Sequence, residues 1–174
     1  MFLLESIMNQ DITILIIDDD SLMQKVIEAS LLKDNYKLLF ASDGPSGIKS
    51  AREHMPDLIL LDIVMPGMDG FEVCSRMRKD DLLLYMPIII ITALDDRDSK
   101  IQGLEAGADD YICKPFDKLE FRARVRTITR LNRYTRWRKI YQLQEEVEEK
   151  NKTIESQLKE IESLKMQLQK TEHH

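Results

Sequence analysis

Between Ile12 and Phe116 the chain alternates short runs of large aliphatics with longer stretches of mixed polarity. The runs are ITILII (12–17), KLLFA (37–41), DLILL (57–61), PIIII (87–91) and DYIC (110–113), each bounded by Gly, Pro or Asp. Near-continuous apolar runs of this length predict strands buried on both faces. Between them, Ser21–Lys33, Pro45–His54, Gly70–Lys79 and Asp96–Ala106 carry apolar residues at helical spacing. Ser21 and Asp95 or Asp96 are expected to cap helix starts, and Gly107 to end a helix. Strands alternating with helices predict a doubly wound α/β domain, a (βα)5 unit on a five-stranded parallel sheet. Its ligand crevice is expected beyond the carboxyl ends of the strands, near a topological switch point.

The pattern changes after Pro115. No Gly, Pro or strand candidate follows, and Ile140, Val147, Ile154, Ile161 and Leu168 recur every seven residues. In heptad terms these are the a positions. Leu143 and Leu164 fill two d positions, while Lys150, Gln157 and Thr171 occupy the others. Four sustained heptads flanked by Glu, Lys and Gln predict a coiled coil, and β-branched residues at a favour a parallel dimer of modest stability. A single amphipathic helix docked on the domain is the simpler alternative. An unbroken helix from Lys118 to Lys170 would span roughly 80 Å at 1.5 Å per residue. The expected organisation is a lead-in over 1–10, a globular domain over 11–132, and a coil over 133–172 continuous with the fifth helix. His173 and His174 read as a tag remnant, implying a trimmed chain.

Composition narrows the function classes. The formal net charge of −6 over 174 residues argues against a simple polyanion-binding protein. Cys74 and Cys113 form no CxxC pair and are expected to be reduced thiols, in keeping with a cytoplasmic location. No apolar run reaches the length of a membrane span. The opening MFLLESIMNQ lacks the basic start of a signal peptide, and Met8 is an alternative start.

Candidate chemistry concentrates where strands end. Asp18, Asp19 and Asp20 follow the first run, Asp62 the third, Thr92 ends the fourth, and Lys114 follows the fifth. Brought into one crevice, clustered carboxylates suit a hard divalent cation, above all Mg2+. An ammonium and a hydroxyl beside them suit the oxygens of a transferring phosphoryl group, with a carboxylate as nucleophile.

Together, ILIIDDD, LILLDIVMPGMDG, IIIITA and ADDYICKPF resemble the receiver domain of two-component response regulators, over roughly residues 11–132. The resemblance implies a flavodoxin-like fold and a signalling domain rather than an enzyme. It makes Asp62 the phosphoacceptor, with Mg2+ held by Asp19, Asp62 and the Val64 carbonyl, and by Asp18 mainly through water. Asp20 falls outside the matching pair and is expected as a solvated turn residue or a helix cap. Lys114 would pair with the phosphoryl oxygens, and its bond to Pro115 would be cis. Thr92 and Tyr111 match the family's switch pair, which moves the face of the fourth helix, fifth strand and fifth helix. Gly70, closing MPGMDG, is expected to relieve backbone strain. Val64 and Leu94 stand two residues after Asp62 and Thr92; neither can position water, which implies slow autodephosphorylation.

Several neighbours take plainer roles. Asp43 and Asp69 are expected as turn residues, and Asp57 as shaping the start of the third strand. His54 sits at a helix end, where it suits the dipole, and Cys113 reads as strand core.

The segment FRARVRTITRLNRYTRWRK (121–139) is strongly basic and leads into the heptads, as in a bZIP protein. Phe121, Val125 and Ile128 recur at helical spacing, however, and are expected to dock on the sheet, so direct nucleic-acid binding is not expected. Receivers of the winged-helix transcription-factor class dimerise through intersubunit ion pairs. The matching charges here are Lys100 opposite Glu120, and Asp109 or Asp110 opposite Arg124. The expected partners are a sensor histidine kinase or phosphotransfer protein and a second copy of the chain. The tail also resembles linkers to diguanylate cyclase, histidine kinase or PAS outputs, so a downstream output module is expected outside these residues. The competing reading is a coiled-coil scaffold whose receiver is not regulated by phosphorylation.

Overall fold

The computed structural model describes residues 11–93 and 97–171, the side chains of 168–171 excepted. The lead-in, Leu94, the cap candidates Asp95 and Asp96, the Leu168 side chain and the terminal histidines lie outside the described residues. The described residues divide after Arg133 into two units.

In the first unit, five parallel strands run in the order β2-β1-β3-β4-β5. They are β1 (Thr13–Ile17), β2 (Lys37–Ala41), β3 (Leu58–Leu61), β4 (Ile88–Thr92) and β5 (Asp110–Cys113). This is the flavodoxin-like arrangement, with helices on both faces. Alternation along each strand sorts the apolar side chains. Leu15, Ile17, Ile59, Leu61, Ile88 and Ile90 face one side, against Ala51 of α2 (Gly44–His54) and Val73, Cys74 and Met77 of α3 (Gly70–Arg78). Ile14, Ile16, Leu58, Leu60, Ile89 and Ile91 face the other, against Ile27 and Leu31 of α1 (Ser21–Leu31). Phe121 and Val125 of α5 (Lys118–Thr171) complete that second layer, with Ile128 packed on its edge, as the helical spacing implied. The helix α4 (Arg97–Glu105) is the weak member: Gly103 is its buried residue, while Ile101 and Leu104 are exposed.

Aspartates start α1, α2, α3 and α5. Asp20, Asp43 and Asp69 cap α1, α2 and α3, accepting from the amides of Leu22, Ser46 and Glu72. Asp117 accepts from Leu119 and Glu120 at the start of α5. Each carboxylate satisfies amides that the first helical turn leaves without partners. Ser21 is therefore the first residue of α1 rather than its cap, and Asp43 and Asp69 are caps rather than plain turn residues. α1 also stops short of Lys33: Leu32–Asp34 tighten into a 3-10 turn, and Asn35 at φ 53° ends it. Asp57 shapes the start of β3 as expected, accepting from the Thr13 amide at 2.9 Å. His54 lies in the last turn of α2. Neither cysteine forms a disulfide; Cys74 is buried and Cys113 only half-buried. Burial pushes the Cys74 thiol up to about 11, which makes it inert as a nucleophile at neutral pH.

Polar contacts fasten α5 to the rest of this unit. Arg122 donates to both carboxylate oxygens of Asp34, at 2.7 and 3.0 Å, and Arg126 adds a third bond at 2.8 Å. Asn132 reaches the Asp57 carbonyl at 2.9 Å.

In the second unit, α5 presents Ile140, Leu143, Val147, Ile154, Ile161 and Leu164 to solvent, each between 37% and 56% exposed. Among the described residues no helix is long and apolar enough to cross a membrane.

The Asp34 contacts carry a pH signature. The Arg122 hydrogen bonds, opposed by burial and reinforced by Arg126, hold the Asp34 carboxyl below its ordinary value. Stabilisation from a depressed carboxylate is complete above the unfolded value and is lost as pH falls through the folded one. Asp34→Asn is expected to destabilise the protein by about 1–2 kcal/mol at pH 7. Thermal melts of both chains should converge as pH falls below the ordinary carboxylate range.

Candidate functional site

The parallel register decides which chain ends meet. Ile17 pairs with Leu61, so Asp18 and Asp62 emerge side by side where the strand order reverses between β1 and β3. Thr92 pairs with Cys113, which places Lys114 just beyond β4 at the same edge. Backbone bonds extend the sheet into the loops: the Asp18 amide donates to Ala41, Asp62 to Ile17 and Lys114 to Thr92. The Lys114–Pro115 bond is cis, as anticipated.

Asp18 and Asp62 are buried, and Asp19 is exposed. One carboxylate oxygen from each lies within 4.8 Å of the others. Lys114 Nζ is 2.8 Å from Asp18 Oδ2 and 3.4 Å from Asp62 Oδ2, binding the two buried acids from across the sheet. One ammonium beside three carboxylates leaves an excess of negative charge in a partly dry crevice. Burial therefore pushes the Asp62 carboxyl above its ordinary value; Lys114 opposes the shift and Asp18 adds to it. The Ile63 amide donates to Asp62 Oδ1 at 2.9 Å and fixes the orientation of the carboxylate.

The loop after Asp62 is shaped by two glycines. Gly67 takes φ 79°, in the left-handed region that glycine enters without strain. Gly70 is required for a different reason than strain relief: a Cβ there would stand 2.3 Å from the Asp62 carbonyl oxygen. The Gly70 amide, donating to the Ile63 carbonyl at 3.0 Å, draws the start of α3 under the site. Gln24 is a participant that the sequence pattern did not single out. Its side-chain amide donates to the Asp18 carbonyl at 2.7 Å and to Ala41 at 3.3 Å, tying the acidic loop to β2. Its position one turn into α1 was the available clue.

Thr92 is fully buried, and Tyr111 is half-buried against the cluster that contains Ile90. Lys100 Nζ stands 6.0 Å from the Tyr111 ring centroid. The Val64 side chain is exposed. The charges on the face of α4, β5 and α5 have partners within one chain. Arg124 binds both oxygens of Asp110, at 2.9 and 2.8 Å, and reaches Glu120 at 2.8 Å. Asp109 accepts from Arg78 at 3.0 Å and from the Ile88 amide at 2.8 Å.

The sequence pattern of the response regulator receiver domain matches residues 14–126. The chain belongs to this family. Response regulator PleD of Caulobacter vibrioides is 45% identical over 117 residues, covering 67% of this chain and 26% of that protein. The alkaline phosphatase synthesis transcriptional regulatory protein PhoP of Bacillus subtilis is 42% identical over 117 residues, covering 67% and 48%. The chain thus spans a quarter to a half of the length of these relatives. Among solved structures, a putative response regulator from Chloroflexus aurantiacus superposes with a TM-score of 0.66 at 36% identity, covering 69% of this chain and 98% of that one. The Francisella response regulator 1452 receiver domain superposes at 0.64 and 31% identity, covering 69% and 98%. Receivers of two-component systems are signalling domains rather than classical enzymes. Phosphorylation on aspartate, Mg2+ binding and interaction with histidine kinases or phosphotransfer proteins are typical of the family.

The donor chemistry fits such a cation, since three hard carboxylate oxygens converge with too little positive charge to balance them. The raised Asp62 value gives a test of this. The folded state holds a proton that the unfolded chain releases, so stability falls as pH rises from the ordinary carboxylate value through the raised one. Asp62→Asn is expected to melt higher than the parent chain at pH 7 without metal. The gap should close below the ordinary carboxylate range, and millimolar Mg2+ should narrow it by stabilising the parent alone.

Proposed function

We propose that this chain is a phosphorylation-controlled switch in which Asp62 accepts a phosphoryl group from a histidine kinase or phosphotransfer protein. The observation that carries the reading is the convergence of Asp18, Asp19 and Asp62 with Lys114 Nζ between the two buried acids. Asp19, Asp62 and the Val64 carbonyl would hold Mg2+, with Asp18 reaching it through water. When bound, the ion offsets the carboxylate repulsion and charge on the phosphoryl oxygens. An Asp62 oxygen forms the new bond to phosphorus, and the donor atom leaves with the electrons of the old one. Lys114 exchanges its contact with Asp62 for the phosphoryl oxygens, and the Thr92 hydroxyl donates to them. Withdrawal of Thr92 opens space for the Tyr111 ring to turn inward, altering the face of α4, β5 and α5.

The output runs through a homodimer. Arg124, Asp110, Asp109, Lys100 and Glu120 can exchange their partners within the chain for equivalent ones on a second copy. Ile140, Leu143, Val147, Ile154, Ile161, Leu164 and Leu168 form the seam of a parallel coil. An output module beyond the coil receives the signal; direct nucleic-acid binding is no part of the reading, and the working location is the cytoplasm. The intact acidic set and lysine favour this over an unregulated coiled-coil scaffold.

Incubation with acetyl phosphate and Mg2+ should add one phosphoryl mass to the parent chain and none to Asp62→Asn. Absence of the adduct with every donor and kinase tried would sink the proposal. With aliphatic Val64 and Leu94 standing two residues after Asp62 and Thr92 in the sequence, the adduct should decay over minutes or longer rather than seconds. Light scattering should give a dimer mass for the full chain and a smaller, monomeric species when it is shortened to Arg133.

A further inference from the structure

The aliphatic stripe Ile140, Val147, Ile154 and Ile161 is bordered by polar residues on both sides, with apolar ones interspersed on each. On one side stand the d positions Arg136, Leu143, Lys150, Gln157 and Leu164. On the other stand the e positions Trp137, Gln144, Asn151, Leu158 and Lys165. Each side thus offers two large apolar residues and at least two polar ones. Leu143, Leu158 and Leu164 are about equally exposed, at 51%, 54% and 52%. Trp137 is half-buried by its helix neighbours Tyr134 and Tyr141, with ring centroids 6.0 and 5.9 Å away.

We infer that the coil carries two overlapping seams for a second copy of this chain, which share one stripe and differ in the flank they bury. The inference rests on the coiled-coil dimer proposed above. In a helix of 3.5 residues per turn the d and e positions lie about 51° to either side of a. Rotating each helix by about 50° therefore exchanges one seam for the other without breaking the stripe. The occupant is a second copy because only a helix of the same seven-residue period follows the stripe along its length. Charge agrees: in the first seam Glu160, at g, faces Lys165 of the other copy, at e, across a parallel pair.

Neither seam is strong. The first stacks Lys150 on its own copy and pairs Gln157 with Gln157. The second buries Gln144, Asn151 and Lys165 but gains Trp137 and Leu158. Polar residues at seam positions ordinarily specify one register at a cost in stability. Here they weaken both alternatives by similar amounts, which leaves a two-state element that a modest input can bias. Phosphorylation at Asp62 would then be read as a change in which flank is buried.

Cross-linking distinguishes the seams, since facing Cβ atoms must come close for a disulfide to form. In the full chain, Gln157→Cys reports the first seam and Leu158→Cys the second, with the parent chain as the control for Cys74 and Cys113. Both variants should cross-link under mild oxidation, and beryllofluoride with Mg2+ should reverse which does so faster. The reversal should vanish when Asp62→Asn is added. Lys150→Leu should favour the first seam and Lys165→Leu the second, moving the ratio in opposite directions. If one position alone cross-links in every state, or both substitutions move the ratio the same way, the two-seam inference is overturned. A dimer whose ratio ignores beryllofluoride, although acetyl phosphate modifies Asp62, overturns this inference alone. A monomer with neither cross-link overturns the coil itself.

Discussion

Lys114 reaches across 96 residues of sequence to Asp18, and the architecture of the site depends on that contact. Two buried carboxylates emerge side by side because β1 and β3 are neighbours in register, and their mutual repulsion is a standing cost of the fold. A single ammonium, delivered by β5 through β4, offsets part of it. Burial, to which the Asp18 charge adds, still leaves the Asp62 carboxyl above its ordinary value. A receiver needs this imbalance. A site neutralised by protein groups alone would have no affinity for a divalent cation, and a solvated one would not focus charge on a phosphoryl group.

The surrounding loops keep that unfavourable geometry in place with short, local devices. Asp20, Asp43, Asp69 and Asp117 start α1, α2, α3 and α5, so each of these segments leaves the sheet edge at a set point. Asp20 shows the division of labour within the acidic triplet. Its carboxylate is occupied by the Leu22 amide, and its own amide donates to Asp18 Oδ1 at 2.9 Å. The third aspartate thus orients the first while taking no place in the converging set. Gly70 serves the other side, allowing α3 to approach the Asp62 backbone more closely than any side chain would permit.

Much of this was legible in the sequence because it depends on periodicity. Near-continuous aliphatic runs located all five strands to within a residue, and the loop residues that follow them were found by position alone. The misreadings concern partners rather than elements. Whether an aspartate before a helix caps it or merely turns depends on backbone dihedrals, so Asp20 stayed open between turn and cap beside Ser21, and Asp43 and Asp69 were read as turns. The Gln24 bond to Ala41 and the Asp34 pairs with Arg122 and Arg126 join residues from different elements, and polar composition carries no record of which distant group will be adjacent. Gly70 was marked as special, yet the reason is a close approach between segments that only the packed structure displays. α4 was legible in outline only, since its one buried residue is a glycine.

The basic segment illustrates how tertiary context changes what a charge run does. As sequence, arginines running into heptads resemble a helix built to meet phosphates. In the folded domain Arg122 and Arg126 hold Asp34, Arg124 holds Asp110 and Glu120, and Arg133 lies 3.9 Å from Asp57. Those guanidiniums already face carboxylates, and presenting them to a polyanion would mean breaking contacts that fasten α5 to the domain. Phe121 and Val125, fully buried on the same helix, add an apolar penalty to any such release. Arg122, Arg124, Arg126 and Arg133, which make the segment look like a ligand-binding surface, instead anchor the start of α5 to the domain.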